Sequence, residues 1–385
     1  MEQAYNSLYT AFDVFPSAKG AATHIHHFAN AILKEYPKGM LYVMGDEKLP
    51  ETETWNNGVD IWRFKSENPN FLERTEEYSR QLLFWLHTQK NLQICHFRDI
   101  WGGLPILLNP QKNYRTIFEV NALPSIELPY RYHISEKVLQ QIRKLEMFCL
   151  QSADQIITPS EIIQNFLKKL GISPSKIQVI SNGAEIPEET IERPLDAPPH
   201  YIIYFGALQP WQGVDTLLRA FKLLQDLDLK LVICSSHKPR HSKNYLKFAE
   251  KLGLQEHILW KYQLPKNELY AWIKYAFCSV APLKECSRNL EQGCSPLKIL
   301  ESMALATPVI ASDMPVTREI ISSEDVGKLI RADRPMELAR AIRIWWAYPE
   351  KAKIVGEAAR THIIKYFSWE QKVQELLQLT KKLTE

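Results

Sequence analysis

Two patterns of apolar residues alternate along the whole chain. Short runs of β-branched and aromatic residues read as buried strands. Between them lie longer stretches whose apolar positions return every three to four residues, the period of an amphipathic helix. In the first half, strands are predicted at 7–12, 40–45, 59–64, 92–97, 114–120, 154–160 and 177–183, with helices at 23–36, 134–153 and 161–171. A Pro- and Glu-rich stretch, 184–200, then interrupts the pattern and reads as an interdomain linker. Beyond it a second series predicts strands at 201–208, 230–236, 258–262, 278–283 and 307–313, helices at 215–227, 244–253, 268–276 and 296–306, and helices onward to the end. Strand-helix alternation of this kind implies parallel sheets with crossover helices, and the break between two such series implies two doubly wound α/β domains.

Length agrees, since 385 residues exceed one ordinary core. The net charge of +3 is too small for a nucleic-acid binder. Six scattered cysteines, with no CxxC pair, predict free thiols in a reducing compartment and neither a disulfide framework nor a zinc site. The N-terminal segment lacks the basic start and apolar core of a signal peptide, and no apolar run reaches the roughly 20 residues that span a bilayer. A cytoplasmic protein is expected. The basic amphipathic helices at 134–153 and 161–171 leave peripheral membrane contact open, against the plainer reading that each covers its own core.

The chemistry concentrates at 285–313, where a loop with Gly293, Ser295 and Pro296 runs into a helix opened by Leu297. Free amides and the positive dipole end at such a junction suit a phosphate or diphosphate. Pro296 fits the first helical turn, where its missing N–H costs nothing. Lys298 adds a mobile positive charge. Glu301, one turn further on the same face, can accept two hydrogen bonds from a ribose diol. In the first half, Gly20 precedes a helix expected to begin near Thr23, so its backbone can approach a ligand. His24 follows in that helix. Glu119 closes an apolar strand and Asn121 lies just beyond, where open α/β sheets bind ligands. A packed histidine and a buried, paired carboxylate are the alternative readings.

Four segments, in order, resemble the family 4 retaining glycosyltransferases of the GT-B fold. These are DVFPSAKGAATHIHHFANAI (13–32), DQIITPSEIIQNFLKKLGISPSKIQVISNGAE (154–185), YFGALQPWQGVDTLLRAF (204–221) and SPLKILESMALATPVIAS (295–312). The last resembles a subgroup of that family with a Ser-Pro-Leu-Lys donor loop. The resemblance implies two Rossmann-like domains facing across a cleft, an acceptor-side domain at 1–190 and a nucleotide-sugar donor domain at 191–368, with a final helix 369–385 returning to the first.

It further implies a donor site of Gly20, Gly206, Gln212, Gly293, Ser295, Pro296, Leu297 and Glu301, with Lys298 assisting the reaction. Glu119 is the candidate for the polar residue facing the sugar, with His24 and Asn121 on the acceptor side. The implied reaction takes a sugar from a nucleoside diphosphate sugar to a hydroxyl acceptor, a saccharide, lipid-linked saccharide or small molecule, with no metal and no cofactor beyond that co-substrate. Polysaccharide or glycoconjugate synthesis is the implied setting.

Three positions depart from the family's pattern. Gly293 stands where a first glutamate is usual, with Glu291 nearby, and Ala207 and Gln212 replace an Arg and a Lys that pair with the donor phosphates. Lys298 and the basic stretch Lys238, Arg240, His241 and Lys243 are the local replacements on offer. These losses keep a degenerate nucleotide-sugar-binding protein in view as a rival, and a different GT-B enzyme, such as a nucleotide-sugar epimerase, is a second. A nicotinamide-dependent oxidoreductase is a third, disfavoured because no G-x-G-x-x-G follows a predicted strand.

Overall fold

A computed structural model describes residues 4–55, 58–187 and 190–385. In chain order its strands are β1 (Ser7–Val14), β2 (Gly39–Met44), β3 (Thr52–Thr54), β4 (Asp60–Phe64), β5 (Ile94–Phe97), β6 (Arg115–Glu119), β7 (Gln155–Thr158) and β8 (Ile177–Val179), then β9 (Tyr201–Gly206), β10 (Lys230–Ser235), β11 (Ile258–Tyr262), β12 (Cys278–Ala281), β13 (Val309–Ser312) and β14 (Lys328–Ile330). They form two sheets, ordered β3-β4-β2-β1-β5-β6-β7-β8 and β11-β10-β9-β12-β13-β14. Every pairing is parallel except β3 with β4. The doubly wound α/β expectation therefore holds in each half.

Strand order matters most for function. In the first sheet β1 lies between β2 and β5, and in the second β9 lies between β10 and β12. The chain winds outward one way, returns, and winds out the other, leaving a crevice at the carboxyl ends beside β1 and beside β9. Such topological switch points are where open α/β sheets bind ligands.

Burial explains why these segments fold as they do. Leu8, Tyr9 and Ala11 of β1, and Ile202 to Tyr204 of β9, are fully buried, as central parallel strands covered on both faces must be. The helix Gly20–Glu35 turns Ala22, Ile25, Phe28, Ala29, Ile32 and Leu33 inward at helical spacing. It starts at Gly20, three residues earlier than expected, so Gly20 is its first residue.

Helices Phe71–Thr88 and Ile100–Leu108 lie in stretches to which the apolar pattern assigned no element. The second contains Gly102, Gly103 and Pro105, poor helix formers that blur the pattern. Packing accounts for the glycines, because a Cβ on Gly102 would stand 2.6 Å from Thr10 Cγ2 and one on Gly103 2.5 Å from Phe97 Cε2. Strand β14 also interrupts the run of helices expected after β13.

The chain divides into two compact units. The first comprises the N-terminus to Ser17, Ala21–Ser181 and Lys372–Glu385; the second comprises Ala18–Gly20 and Asn182–Gln371. Within the first, the end of helix Trp369–Thr384 meets the end of helix Gly20–Glu35, with Lys381 Nζ 3.1 Å from Glu35 Oε1 and Tyr36 Oη 2.9 Å from Thr384 Oγ1. Residues 190–200 hold no helix or strand, as the linker composition predicts; linker residues 188 and 189 lie outside the described residues.

Of the two basic amphipathic helices, Glu136–Ser152 buries Leu139, Ile142, Cys149 and Leu150, and Glu161–Lys169 buries Ile163 and Leu167. Each covers its own unit's core. Trp345 and Trp346 pack in the second core. Among the described residues no helix is long and apolar enough to cross a membrane.

Candidate functional site

The second unit's switch point gathers the loops after β9 and β12. Strand β9 ends at Gly206, and a 3₁₀ turn, Pro210–Gln212, leads to helix Val214–Lys222. Gly213 between them has φ 70°, and a Cβ there would fall 1.7 Å from the Pro282 carbonyl oxygen. Only glycine lets these two loops meet so closely.

After β12 a π-helical turn, Arg288–Gln292, precedes Gly293. Asn289 is fully buried and donates from Nδ2 to the Trp211 and Lys284 carbonyls, at 3.0 and 2.8 Å, tying this loop to the first. Gly293 has φ 85° and ψ −178°. A glutamate would be strained in that conformation, which gives the missing first glutamate a backbone cause. Glu291 is exposed on the π-helical turn.

Helix Leu297–Ala304 follows, with Pro296 as the residue just before it, outside the first turn in which it was expected. The Ser295 carbonyl accepts a hydrogen bond from Asn182 Nδ2 at 2.9 Å. Lys298 is the main correction to the sequence reading, for its side chain is buried and held in place. Its Nζ lies 2.5 Å from Gln212 Oε1, to which it donates, and 4.0 Å from the centroid of the Tyr204 ring. Tyr204 Oη in turn donates to the Ala207 carbonyl at 2.6 Å. Gly206 borders the same ammonium, since a Cβ there would stand 3.7 Å from Lys298 Cε.

Gln212 directly, and the Ala207 carbonyl through Tyr204, thus hold one lysine where the resemblance implies two further cations. No carboxylate lies within ion-pair distance of Lys298 among the described residues. Burial pushes its ammonium down to about 7, with Cys294 and Glu301 pulling the other way. Glu301 is half-buried, and burial pushes its carboxyl up to about 7 against Lys266 and Lys298, with Glu185 adding to the rise. The stretch Lys238, Arg240, His241 and Lys243 is exposed beyond the end of β10.

The first unit's switch point is organised around Glu119, the last residue of β6. Glu119 does not face a ligand as expected, for it is 1% exposed and both carboxylate oxygens are engaged. Tyr9 Oη donates to Oε2 at 2.8 Å, and His96 Nε2 lies 2.9 Å from the same oxygen. Arg98 Nε donates to Oε1 at 2.7 Å, Asn121 Nδ2 also donates to Oε1, and His24 Nε2 stands 2.8 Å from it.

Burial alone would raise this carboxyl, but the His24 and Arg98 charges, with the hydrogen bonds, outweigh it and hold it well below the usual range. His96 stacks on Tyr9 with ring centroids 4.5 Å apart, and burial pushes its imidazole down. Arg98 also donates from Nη1 to Asp13 Oδ2 at 3.1 Å.

Sequence reasoning reached Glu119, His24 and Asn121 but missed Tyr9, His96, Arg98 and Tyr204. A charged Arg98 directly after an apolar strand was the available signal, being the same strand-end logic that picked out Glu119. Six of the predicted residues fall into two groups, Gly206, Gln212 and Lys298 at the switch point of the second sheet and His24, Glu119 and Asn121 at that of the first. Among the described residues no group of three or more His, Cys, Asp or Glu could hold a metal ion.

Known proteins resemble the chain along most of its length. Residues 18–188 match the model of Glycosyltransferase Family 4 and residues 185–362 that of Glycosyl transferases group 1. A D-inositol 3-phosphate glycosyltransferase of Corynebacterium glutamicum is 25% identical over 314 residues, covering 77% of this chain and 70% of its own. Among solved structures, sucrose-phosphate synthase from Thermosynechococcus elongatus superposes with a TM-score of 0.82 at 17% identity, over 98% of this chain and 99% of its own. Anabaena HepE, solved in complex with UDP-glucose, does so with a TM-score of 0.75 at 14% identity, over 98% of this chain and 100% of its own.

Proposed function

The chain belongs to the family 4 glycosyltransferases of the GT-B fold, and from that membership we propose that it moves a sugar from a nucleoside diphosphate sugar to a hydroxyl acceptor with retention at the anomeric carbon. The observation that carries the donor assignment is Lys298, a buried ammonium with no carboxylate partner among the described residues at the switch point of the second sheet. Gln212 takes one of its N–H groups, and the Tyr204 ring meets its positive charge. A diphosphate supplies the missing anion.

As the glycosidic bond to the diphosphate breaks, negative charge builds on the leaving oxygen. Lys298 and the free amides opening helix Leu297–Ala304 oppose that charge in a site where little water screens it. Glu301, one turn along, holds the ribose hydroxyls. Fixing Lys298 beforehand means that little reorganisation accompanies bond cleavage, which offsets in part the absence of cations at 207 and 212. A neighbour solved with UDP-glucose supports a uridine donor as the first to try. The family and this geometry support transfer over the degenerate-binder and epimerase readings. Metal independence and a hexosyl donor belong to the same proposal.

The test is a thermal-shift series with UDP, GDP, ADP and dTDP, then their sugar conjugates, because a ligand that binds only the folded chain raises its melting temperature. One nucleotide should stabilise the wild type and lose that effect in Glu301→Ala. Its sugar conjugate should release free nucleotide in the presence of an acceptor. No stabilisation at millimolar concentration by any of the four would sink the transferase reading.

A further inference from the structure

In the first unit Asn121 sits two residues beyond β6 and gives its Nδ2 to Glu119 Oε1. An ionised carboxylate can only accept, so the amide must face it with nitrogen and turn its carbonyl oxygen away. That oxygen, Oδ1, takes no hydrogen bond among the described residues and is not sealed from solvent. Arg98 repeats the arrangement. Its Nε is held by Glu119 and its Nη1 by Asp13, while Nη2 takes no partner among the described residues and is not sealed from solvent. One buried carboxylate therefore orients both an outward acceptor and an outward donor at the carboxyl edge of the first sheet.

We infer that Glu119 is a positioning residue which fixes Asn121 Oδ1 and Arg98 Nη2 as a matched acceptor and donor for uncharged sugar hydroxyls. The inference rests on the transferase reading and names the chemistry recognised by the first unit. A hydroxyl both donates and accepts, so neighbouring hydroxyls on a ring satisfy the two atoms together. Charge selects against a phosphate at this place. The guanidinium is already answered by two carboxylates, Glu119 and Asp13, which leaves it no spare positive charge. Glu119 touches no ligand itself, since its oxygens are filled and its side chain is buried. The hydroxyls belong either to the transferred sugar or to the acceptor.

The experiment uses the full chain, the nucleotide that stabilises it most, the matching nucleotide sugar, and a panel of neutral monosaccharides and cyclitols with their monophosphates. Asn121→Leu and Glu119→Gln are compared alone and together. Each single change should leave the dissociation constant of the bare nucleotide within about twofold, while weakening the hydroxyl-bearing ligand roughly tenfold, the size of one or two lost hydrogen bonds. That loss appears in nucleotide-sugar binding if the hydroxyls are the donor's, and in acceptor KM if they are the acceptor's.

Glu119→Gln should also do less harm in the N121L background than alone, because a residue acting through Asn121 has less to lose once Asn121 is gone. Equal harm in both backgrounds overturns the inference, as does equal weakening of the bare nucleotide and the sugar ligands, or use of phosphorylated acceptors alone. Where Glu119→Gln fails to fold, Asn121→Leu at its half-buried position decides the matter, and unchanged sugar kinetics there overturns it. A wild type that no nucleotide stabilises marks the failure of the transferase reading, whereas nucleotide binding with sugar kinetics untouched by either change marks the failure of this inference.

Discussion

Lys298 and Tyr204 lie one above the other at the second switch point, the ammonium 4.0 Å from the centre of a fully buried phenol ring. An aromatic face favours a desolvated cation without neutralising it. The ammonium is therefore placed but not discharged, and an anion completes it.

Replacing Lys298 by Met removes that charge with little change in volume. Nucleotide diphosphate affinity should fall about 10- to 100-fold, the range for losing a charge-assisted hydrogen bond. Isothermal titration with the nucleotide chosen by thermal shift measures it. An unchanged dissociation constant would remove Lys298 from the donor site.

Donor affinity should also depend on pH. A bound diphosphate favours the protonated lysine, while burial holds the free protein's Lys298 near 7. Above pH 7 binding must therefore take up a proton, and affinity should weaken as pH rises towards 9, by up to about tenfold per unit. Lys298→Met should flatten that profile. For the unliganded fold the sign reverses. Unfolding returns Lys298 to its ordinary 10.5, so the unfolded state binds more protons between about 7 and 10.5. The destabilising contribution is full below pH 7 and fades as pH rises, so Lys298→Met should raise the ligand-free melting temperature most at pH 6.

Glu301 gives the opposite pH dependence. Its folded value near 7 exceeds the ordinary 4.5, so its ionisation opposes folding above pH 7 and has no effect below 4.5. Glu301→Gln should melt a few degrees higher than wild type at pH 8 and no higher at pH 4.5. In kinetics Glu301→Ala should raise donor KM roughly tenfold, as expected for lost ribose hydrogen bonds. Unchanged donor kinetics would end that role.

Gly213→Ala should be costly although it adds one methyl group. Its Cβ would fall 1.7 Å from the Pro282 carbonyl oxygen, at a backbone φ of 70° that alanine adopts poorly. A loss of about 2 kcal/mol or more is expected in denaturant unfolding. Donor binding should weaken in the fraction that remains folded, because Gln212 loses its place beside Lys298. A variant of wild-type stability would show that the two loops need not meet so closely.

Local pattern carried the elements wherever propensity and burial agree. The runs at 201–208 and 258–262 became β9 and β11, and Gly293, Ser295 and Pro296 lie in a loop leading into a helix, as read. It failed at Ile100–Leu108, where Gly102, Gly103 and Pro105 argue against a helix and close packing on Thr10 and Phe97 overrides them. Glu119 was legible as a strand-end carboxylate, but not as a sealed one. Its partners come from residues 9, 24, 96, 98 and 121, and nothing local announces that four of those segments converge on it.

The sequence by itself determined the alternation of strands and helices, the two-unit organisation, the loop-to-helix junction at 293–297 and the family. Each of these is written in local periodicity or in contiguous segments of residues. The tertiary structure alone decided the strand orders, hence the two switch points, and with them which side chains meet. Gln212 pairs with Lys298 across 86 positions, and Tyr9 with Glu119 across 110. The physical reason is that side chains distant in the chain are brought together by which strands lie side by side. Strand order is settled by packing of the whole sheet, a property that no local run of residues encodes.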